Sequence, residues 1–351
     1  MDLSIIIPTF NSEKYLNETL NSIIPLLQIL DAELVIVDDG STDNTRKIIA
    51  KYKKQFKVRA IYNSHKGAGY SRNIGIINAV GDYITFIDSD DLINAEKYLL
   101  MMQKARLDEN VNIISMSAFV RSENDGLIIV DDDLWKTELL LSVINITTPR
   151  ITWKEYNPGP VSKIFSRDFI LKNKIEFPTE IKNGEDMIFN YIAVNNSKKT
   201  LLLKGSAYRY RQTSGSLMHK VDAGFRNNNI LLLNEIKRLV NKNKIIDNYN
   251  KKNILSYWNI RIILTNFVRL YSNKQGIKHI EEQRTDKKEL RQYLKTTDVR
   301  KMIRQNLSKK QQIVIFCIRF MPRIVIIIIL RFINYIGLIG NLHNKEQIEI
   351  I

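Results

Sequence analysis

The sequence of 351 residues has few features that would support covalent cross-links or export. Its single cysteine, Cys317, excludes a disulfide within the chain, and one thiol is typical of a reducing compartment. The N-terminal segment MDLSIIIPTFN lacks the basic residues of a secretory signal, and its apolar run is too short for one. We therefore expect a buried strand at this end and a protein that works in the cytoplasm.

No acidic residue occurs between Asp298 and Glu346, and the net charge of +16 is concentrated in this C-terminal part of the chain. Residues 220–351 hold 26 basic and 10 acidic side chains, a balance equal to that of the whole chain. An enzyme that acts on nucleic acid would more often spread its basic side chains along the catalytic groove. We predict a basic C-terminal region that is separate from the site, and no nucleic-acid partner.

Apolar strand patterns and helical patterns alternate over the first 120 residues. The strand patterns lie at residues 3–10, 32–41, 58–63, 82–91 and 112–120. This alternation predicts an α/β fold with a mostly parallel, Rossmann-like sheet and helices on both faces, followed by a helical C-terminal region. Ligands of such sheets bind at the carboxyl ends of the strands, where the polar segments PTFN, VDDGSTD and DSDD occur. We expect the site at the edge that these segments share.

Three carboxylates, Asp88, Asp90 and Asp91, end the fourth strand in the segment YITFIDSDDLIN. Alternate side chains of an extended segment share a face, so Asp88 and Asp90 point the same way. Two carboxylates, with water and phosphate oxygens, suit an octahedral Mg²⁺ or Mn²⁺ ion. Short acidic triplets are also common in turns, so this spacing alone does not separate a metal site from turn chemistry.

Four motifs occur in order along the chain: SIIIPTFN, VIVDDGSTDNT, GAGYSRNIGIINAVGDYITFIDSDD and NGEDMIFN. On these motifs, residues 1–220 resemble the family 2 glycosyltransferases, which have the GT-A fold. The bacterial branch that builds capsular and other surface polysaccharides is the most similar. The resemblance implies a catalytic domain at residues 1–220 that binds a nucleotide-sugar, and it leaves residues 221–351 as a basic helical region.

The resemblance also implies which residues lie beside the nucleotide. Pro8, Thr9 and Phe10 match the segment that lies against the base. Asp38 and Asp39 match an acidic pair whose second carboxylate accepts a hydrogen bond from the uracil imide. A helix-capping turn is the alternative use of this pair, and the two uses are compatible.

The diphosphate contacts implied by the resemblance come from three further residues. Arg72 matches a position near the diphosphate, where a guanidinium is a natural partner for phosphate oxygens. Arg211 and Ser216 match a segment that closes over the diphosphate. Together with the base contacts, these residues form the expected nucleotide-binding site.

The chemistry implied by the resemblance rests on five carboxylates. Asp90 and Asp88 are the metal ligands; Asp88 also contacts the ribose or sugar, and Asp91 contacts the donor edge or caps the next helix. Asp186 matches the base that takes the acceptor proton during inversion, and Glu185 orients the acceptor or the loop. The alternative is that Glu185 and Asp186 have no catalytic function and only begin a helix, where acidic residues are favoured.

Residues 313–333, IVIFCIRFMPRIVIIIILRFI, form an apolar run nearly long enough to cross a bilayer. Arg319, Pro322 and Arg323 lie at its middle, and each central arginine costs about 2.5–3.5 kcal/mol in a bilayer. Arg319 and Arg323 share a helical face, so we expect a helix in the membrane interface that is attracted to anionic lipid. A buried core or oligomer helix and a true span are the alternatives.

The expected function is therefore inverting, metal-dependent sugar transfer from a nucleotide donor, a UDP-sugar, in cell-surface polysaccharide synthesis. The expected acceptor is a lipid-linked saccharide, and the expected location is the inner face of the cell membrane, bound peripherally. The acceptor-side loop has Gly159 and Pro160 where the family often has a large residue, so the acceptor stays open, as does a homo-oligomer.

Two other functions remain as alternatives at this point. A sugar-nucleotide pyrophosphorylase shares the nucleotide-binding architecture, but it expects a glycine-rich phosphate loop after the first strand, and PTFNSEKY has no glycine. A basic membrane- or nucleic-acid-binding module without catalysis would explain the charge of residues 221–351. It would leave the four motifs of the first 220 residues without a purpose.

Overall fold

The computed structural model describes residues 1–117, 126–151, 156–211, 224–269, 280–295, 297–307, 309–320 and 348–350. The chain divides into two compact units, one formed by residues 1–212 and 348–351 and the other by residues 213–347. The domain boundary predicted between residues 220 and 221 falls within the segment 212–223, which lies outside the described residues.

The first unit begins with the alternation of strands and helices that the sequence pattern predicts. Its elements up to the sixth strand are β1 (Leu3–Thr9), α1 (Leu16–Ile29), β2 (Ala32–Asp38), α2 (Thr45–Lys53), β3 (Val58–Tyr62), α3 (Ala68–Asn78), β4 (Tyr83–Phe86), β5 (Leu92–Ile93), α4 (Ala95–Arg106) and β6 (Val111–Ser117). Every residue of β2 is buried, which is the pattern of a parallel strand covered on both faces.

The rest of the first unit mixes short strands with helices. These elements are β7 (Leu127–Val130), α5 (Asp133–Val143), β8 (Lys163–Ser166), α6 (Arg167–Lys172), α7 (Glu185–Asn196), β9 (Lys199–Lys204), β10 (Tyr208–Arg211) and β11 (Ile348–Ile350). The main sheet has the strand order β3-β2-β1-β4-β8-β6-β9-β7, and a second, smaller sheet has the order β11-β10-β5. The main sheet is mostly parallel, and β8 inserts antiparallel between β4 and β6.

The core of the first unit sits between the parallel strands and the helices that cover them. Leu3, Ile5 and Ile7 of β1 pack with Leu16 and Leu20 of α1 in one buried cluster. On the opposite face, α3 lies so close to β1 that a Cβ atom at Gly75 would meet Cγ2 of Ile6 at 2.3 Å. This close approach brings the first turns of α3 against the edge of the sheet where the polar segments lie.

An aromatic cluster supports the segment that precedes α7. The rings of Phe177 and Phe189 stack with centroids 4.0 Å apart, and Phe86 of β4 meets both edge-on at 5.3 and 5.6 Å. Such pairs add about 0.5–1.5 kcal/mol each beyond the burial of their area. The cluster therefore fixes the start of α7 relative to the end of β4.

The second unit is helical, as the sequence predicts for this region. Its helices are α8 (Phe225–Lys242), α9 (Asn248–Arg269), α10 (Ile280–Tyr293), α11 (Thr297–Asn306) and α12 (Lys309–Phe320). Helix α9 contacts the other four, and it buries Tyr257, Ile260 and Leu264. Among the helices that the structure describes, none is long and apolar enough to cross a membrane. Residues 321–333 of the predicted interfacial helix lie outside the described residues.

Candidate active site

Three polar segments meet at the carboxyl edge of the parallel strands, as the strand pattern predicts. In the register of the sheet, Thr9 at the end of β1 lies beside Asp38 at the end of β2. On the other side of β1, Ile6 pairs with Phe86, the last residue of β4, and Asp88 follows two residues later. The ends of β1, β2 and β4 therefore form one continuous rim.

Asp38 and Asp39 are both buried and serve different parts of the rim. Asp38 forms an ion pair with Nε of Arg46 at 2.7 Å and accepts a hydrogen bond from the backbone N–H of Ser41. Asp39 accepts hydrogen bonds from the N–H groups of Lys66 and Gly67, at 2.8 and 2.7 Å. Asp38 therefore stabilises the turn after β2 and does not cap α2, whose N-cap residue Asn44 makes no side-chain cap hydrogen bond. Asp39 holds the segment before α3.

Phe10 is 45% exposed at the rim, and its ring lies beside that of His65 with centroids 4.1 Å apart. The imidazole Nδ1 of His65 is 3.5 Å from Oδ2 of Asp39. The side chain of Thr9, by contrast, is buried and donates to the carbonyl of Val37. Sequence reasoning missed His65, because the turn after β3 carries no motif that marks it.

The segment DSDD forms a turn that is fastened to β10. Asp91 is fully buried: its Oδ2 accepts a hydrogen bond from the hydroxyl of Tyr208 at 2.7 Å, and its Oδ1 accepts one from the N–H of Arg211. Burial, with the neighbouring charge of Asp88, raises the pKa of Asp91 to about 8. The side chain of Asp91 thus anchors β10 and does not point to the rim. It does not cap α4 either, because the N-cap residue of that helix is Asn94.

Arg211 is bound to this same turn and to α1. Its Nε donates to the carbonyl of Asp90 at 2.9 Å, and its guanidinium pairs with Glu18 and lies over the ring of Tyr15. These contacts place Arg211 beside Asp90, where its charge favours the ionised form of that carboxylate. Ser216, the other residue expected to close over the diphosphate, lies outside the described residues, and its function stays a prediction.

Arg72 connects three carboxylates that are far apart in sequence. Its side chain is 5% exposed, with Nη2 at 2.9 Å from Asp88 and Nη1 at 2.8 Å from Asp186 and 3.4 Å from Glu185. Burial opposes its charge, but the charges of Asp186, Asp88 and Glu185 outweigh burial and raise the pKa of Arg72. These three bonds occupy both Nη atoms, whereas the buried Nε has no hydrogen-bond partner among the described residues, so a diphosphate would compete with the carboxylates for Nη1 and Nη2. The same three bonds bring the metal-ligand candidate and the base candidate together.

Glu185 and Asp186 are the first residues of α7, which begins after Gly184 at a φ of +99°. Burial, with the charge of Asp186, raises the pKa of Glu185 to about 8, and Arg72 opposes this. Burial also raises the pKa of Asp186, and Arg72 opposes this too. The side chain of Asp186 is still 33% exposed, so another molecule can reach it. A carboxylate that is both reachable and more basic than usual suits proton abstraction.

The acceptor-side loop of residues 157–161 passes directly beside this base. A Cβ atom at Gly159 would lie 3.9 Å from Oδ2 of Asp186. Lys163 is fully buried below the loop, and its ammonium donates to the carbonyls of Asn157 and Gly159 at 2.7 and 2.6 Å. Sequence reasoning missed Lys163, because a lysine at the start of a short strand looks like a surface residue.

A divalent ion could be held by Asp88 and Asp90. Among the described residues, no group of three or more His, Cys, Asp or Glu side chains can hold a metal ion. Burial, and then the charge of Asp88, raise the pKa of Asp90, a repulsion that a bound cation would relieve. Two carboxylates fit an ion such as Mg²⁺, which takes its other ligands from water and phosphate. The residues present therefore fit such an ion when a diphosphate is bound with it.

Comparison with known proteins finds a family match for the part of the chain that carries the rim. The family model described as glycosyl transferase family 2 matches residues 4–167, a range that contains β1, β2, β4 and the DSDD turn. Residues 4–167 of this chain therefore match the family 2 glycosyltransferases. The matched range covers the rim, whereas Glu185 and Asp186 lie beyond it.

Two curated relatives of this chain act on poly(ribitol phosphate), according to their names. The chain is 33% identical over 217 residues to the poly(ribitol-phosphate) beta-N-acetylglucosaminyltransferase TarS of Staphylococcus aureus strain MW2, covering 60% of this chain and 35% of TarS. It is 31% identical over 228 residues to the poly(ribitol-phosphate) beta-glucosyltransferase of Bacillus spizizenii, covering 60% of this chain and 32% of that protein. The matched part thus spans about a third of these relatives.

Solved structures of the same S. aureus protein share the fold of this chain. The crystal structure of TarS 1–349 matches with a TM-score of 0.56 and 25% identity, over 100% of this chain and 97% of that one. A second structure of TarS 1–349, in complex with UDP-GlcNAc, matches with a TM-score of 0.58 and 24% identity over the same shares. The predicted GT-A fold is thereby confirmed.

Proposed function

We propose that this chain is an inverting, metal-dependent glycosyltransferase that moves a sugar from a UDP-sugar to a hydroxyl group of a cell-surface polymer. One observation carries the proposal. Arg72 joins Asp88, at the end of β4, to Glu185 and Asp186, at the start of α7, within 3.4 Å. A diphosphate-binding edge and a reachable basic carboxylate thus lie side by side, as transfer from a nucleotide-sugar requires.

The donor nucleotide is proposed to bind at the rim beside Phe10. The exposed face of Phe10 offers a surface for stacking a base, and His65 lies at its edge. Each carboxylate oxygen has two lone pairs, so Asp39 can hold Lys66 and Gly67 and still accept the N–H of a uracil imide. The names and titles of the relatives point to UDP-GlcNAc as the first donor to test.

The base is proposed to be Oδ2 of Asp186. Oδ1 of this carboxylate accepts a bond from Arg72, while Oδ2 faces the acceptor-side loop at Gly159. An acceptor hydroxyl there would give its proton to Oδ2 as its oxygen attacks the anomeric carbon. The diphosphate leaves on the opposite side, so the configuration at that carbon inverts.

The leaving group needs its charge neutralised. A divalent cation held by Asp88 and Asp90 would supply that neutralisation when it is bound with the diphosphate. Arg72 keeps Oδ1 of Asp88 in place at 2.9 Å, and Arg211 keeps the backbone at Asp90 in place. These two arginines therefore orient the pair of carboxylates rather than replace the cation.

The acceptor proposed first is poly(ribitol phosphate), because both named relatives act on it. A lipid-linked saccharide remains the second acceptor to test. Both would present hydroxyl groups to the loop of residues 157–161, whose Gly159 lies beside Oδ2 of Asp186.

The test is release of UDP and formation of glycosylated polymer from UDP-GlcNAc, with Asp186→Asn as the decisive variant. The amide keeps the shape but cannot take a proton, so UDP-GlcNAc binding should persist and turnover should disappear. Asp168→Asn is the matched control, since Asp168 is exposed on α6 in an ion pair with Lys172. Proton NMR of the product should show a β-linkage from the α-linked donor. A collapse of donor affinity in Asp186→Asn, or a retained configuration, would contradict the assignment.

We further propose peripheral attachment of the second unit to an anionic membrane. Ile313, Phe316 and Phe320 of α12 lie on one helical face and are 55%, 55% and 60% exposed. The preceding helix α11 exposes the basic residues Arg300 and Arg304. An apolar helical face in a unit that also exposes cationic side chains suits the interface of an anionic bilayer.

A further inference from the structure

Lys163 is fully buried, which is rare because a lysine is almost never fully buried without partners, and burial lowers the pKa of its ammonium group to about 7. Taking an ammonium out of water costs several kcal/mol, and an apolar side chain of similar length would avoid that cost. Its compensation comes from backbone carbonyls: Nζ is 2.7 Å from the carbonyl of Asn157, 2.6 Å from that of Gly159 and 3.5 Å from that of Val161. The ring of Tyr156 lies 4.6 Å from the same nitrogen.

The loop that receives these bonds cannot hold itself in place by regular pairing. Pro158 and Pro160 have no N–H group to donate to a neighbouring strand. The carbonyls of residues 157, 159 and 161 accept hydrogen bonds from Lys163. All three point towards the one ammonium. The loop geometry therefore depends on Lys163 from the side of β8.

Asn190 of α7 holds the opposite side of the same loop. Its Nδ2 donates to the carbonyl of Pro158 at 2.6 Å, and also to the carbonyl of Asp186 at 3.1 Å. The loop is thus fastened both to β8 and to the helix that carries the base. Gly159 lies between the two fastenings, beside Oδ2 of Asp186.

We propose that Lys163 is a positioning residue that holds residues 157–161 beside Asp186, so that this loop forms one wall of the acceptor site. The proposal rests on the proposed function, in which Asp186 is the base. The ammonium also attracts the Asp186 carboxylate and so favours its ionised form. A fixed loop would hold the acceptor hydroxyl at a constant distance from Oδ2 of Asp186, whereas a mobile loop would allow that distance to vary.

The test uses the full-length chain with Lys163→Met, which keeps length but removes the charge and the donors. Asn190→Leu removes the second fastening without changing charge. Lys136→Met is the matched control, because Lys136 also donates to a backbone carbonyl, that of Ser197, but at the far end of α7. Hydrogen exchange followed by mass spectrometry reports on the peptide that contains residues 157–161, independently of any activity.

We expect exchange of that peptide to be at least ~10-fold faster in Lys163→Met and faster in Asn190→Leu, with Lys136→Met like the wild type. With UDP-GlcNAc and poly(ribitol phosphate), kcat should fall by ~100-fold in Lys163→Met, the cost of a displacement of about 1 Å at a reacting centre. KM for the acceptor should rise, and KM for UDP-GlcNAc should stay unchanged. A purely structural lysine would instead lower both substrate affinities or the folded fraction.

Two results would overturn the proposal. One is a folded Lys163→Met protein in which residues 157–161 exchange at the wild-type rate. The other is a Lys163→Met protein whose acceptor kinetics are unchanged while its KM for UDP-GlcNAc is higher. If Lys163→Met does not fold, Asn190→Leu decides, since its loop must then exchange faster and its acceptor KM must rise. A wild-type protein that releases no UDP would refute the proposed function instead. The exchange measurement keeps these two failures apart.

Discussion

Removal of Arg72 should destabilise the first unit, because its three acidic partners would then lie close together without a positive charge between them. The side chain is 5% exposed, and its partners Asp88, Glu185 and Asp186 are 31%, 12% and 33% exposed. Breaking a buried ion pair by removing one partner costs about 3–5 kcal/mol. Since two of the three carboxylates are about a third exposed, solvent reduces the loss, and we expect ~3 kcal/mol for Arg72→Met.

The loss should depend on pH, with a sign that follows from proton binding. Without Arg72, the carboxyl groups of Glu185 and Asp186 have pKa values further above those of the unfolded chain, so the folded state binds more protons than the unfolded one. Stability then falls as pH rises. The difference from the wild type should be small at pH 5, where proton uptake neutralises the carboxylates. It should grow as the pH passes the pKa of about 8 that Glu185 has in the wild type, and it should be full only above the higher pKa of the variant.

Urea denaturation and thermal melting between pH 5 and pH 9 would measure this. A loss of ~3 kcal/mol corresponds to a fall in Tm of about 6–12 °C for a unit of this size. Lys172→Met is the control, because the pair of Lys172 with Asp168 is exposed on both sides and such pairs contribute about 0–1 kcal/mol. A pH-independent loss, or one no larger than that of the control, would refute the view that Arg72 neutralises the three carboxylates.

The remaining predictions concern metal, nucleotide and membrane. Asp90→Ala should lower transfer by about 1000-fold, since a metal supplies several kcal/mol of charge stabilisation, and a chelator should do the same to the wild type; normal turnover in excess chelator would exclude the metal. Asp39→Ala should weaken UDP binding in calorimetry by about 1–3 kcal/mol, and an unchanged affinity would leave Asp39 only its hold on the backbone. The protein should sediment with anionic vesicles and be partly released by high salt, and Phe316→Asp should weaken this binding. Indifference to lipid would instead assign α12 to the core or to a subunit contact.

The strands of the parallel half of the sheet were predictable because their signal is local. A run of apolar residues that ends in polar ones marks a strand buried on both faces, and the predicted strands at residues 3–10 and 32–41 correspond to Leu3–Thr9 and Ala32–Asp38. The rule that parallel strands present their carboxyl ends at one edge then placed Asp39 and Asp88 on one rim. No contact between distant residues was needed for either step.

The contacts of the charged side chains could not be predicted in this way. Asp91 has the same local setting as Asp90, and only the approach of Tyr208 and Arg211, more than a hundred residues later, turns its side chain inward. Arg72 looks like a surface arginine on an amphipathic helix until α7 brings two more carboxylates to it. Lys163 is buried because a loop with two prolines folds over it.

The sequence by itself therefore determined the type of fold, the resemblance to the family 2 glycosyltransferases and the edge of the sheet where the candidate site lies, since periodicity and motif order are properties of neighbouring residues. The tertiary structure alone decided which carboxylates are paired, which are buried and which can reach a substrate. Charge and burial depend on what packs against a side chain from elsewhere in the chain, and pKa values follow from those distances. The same reason explains why the rim residues were found in advance while Lys163 and His65 were not.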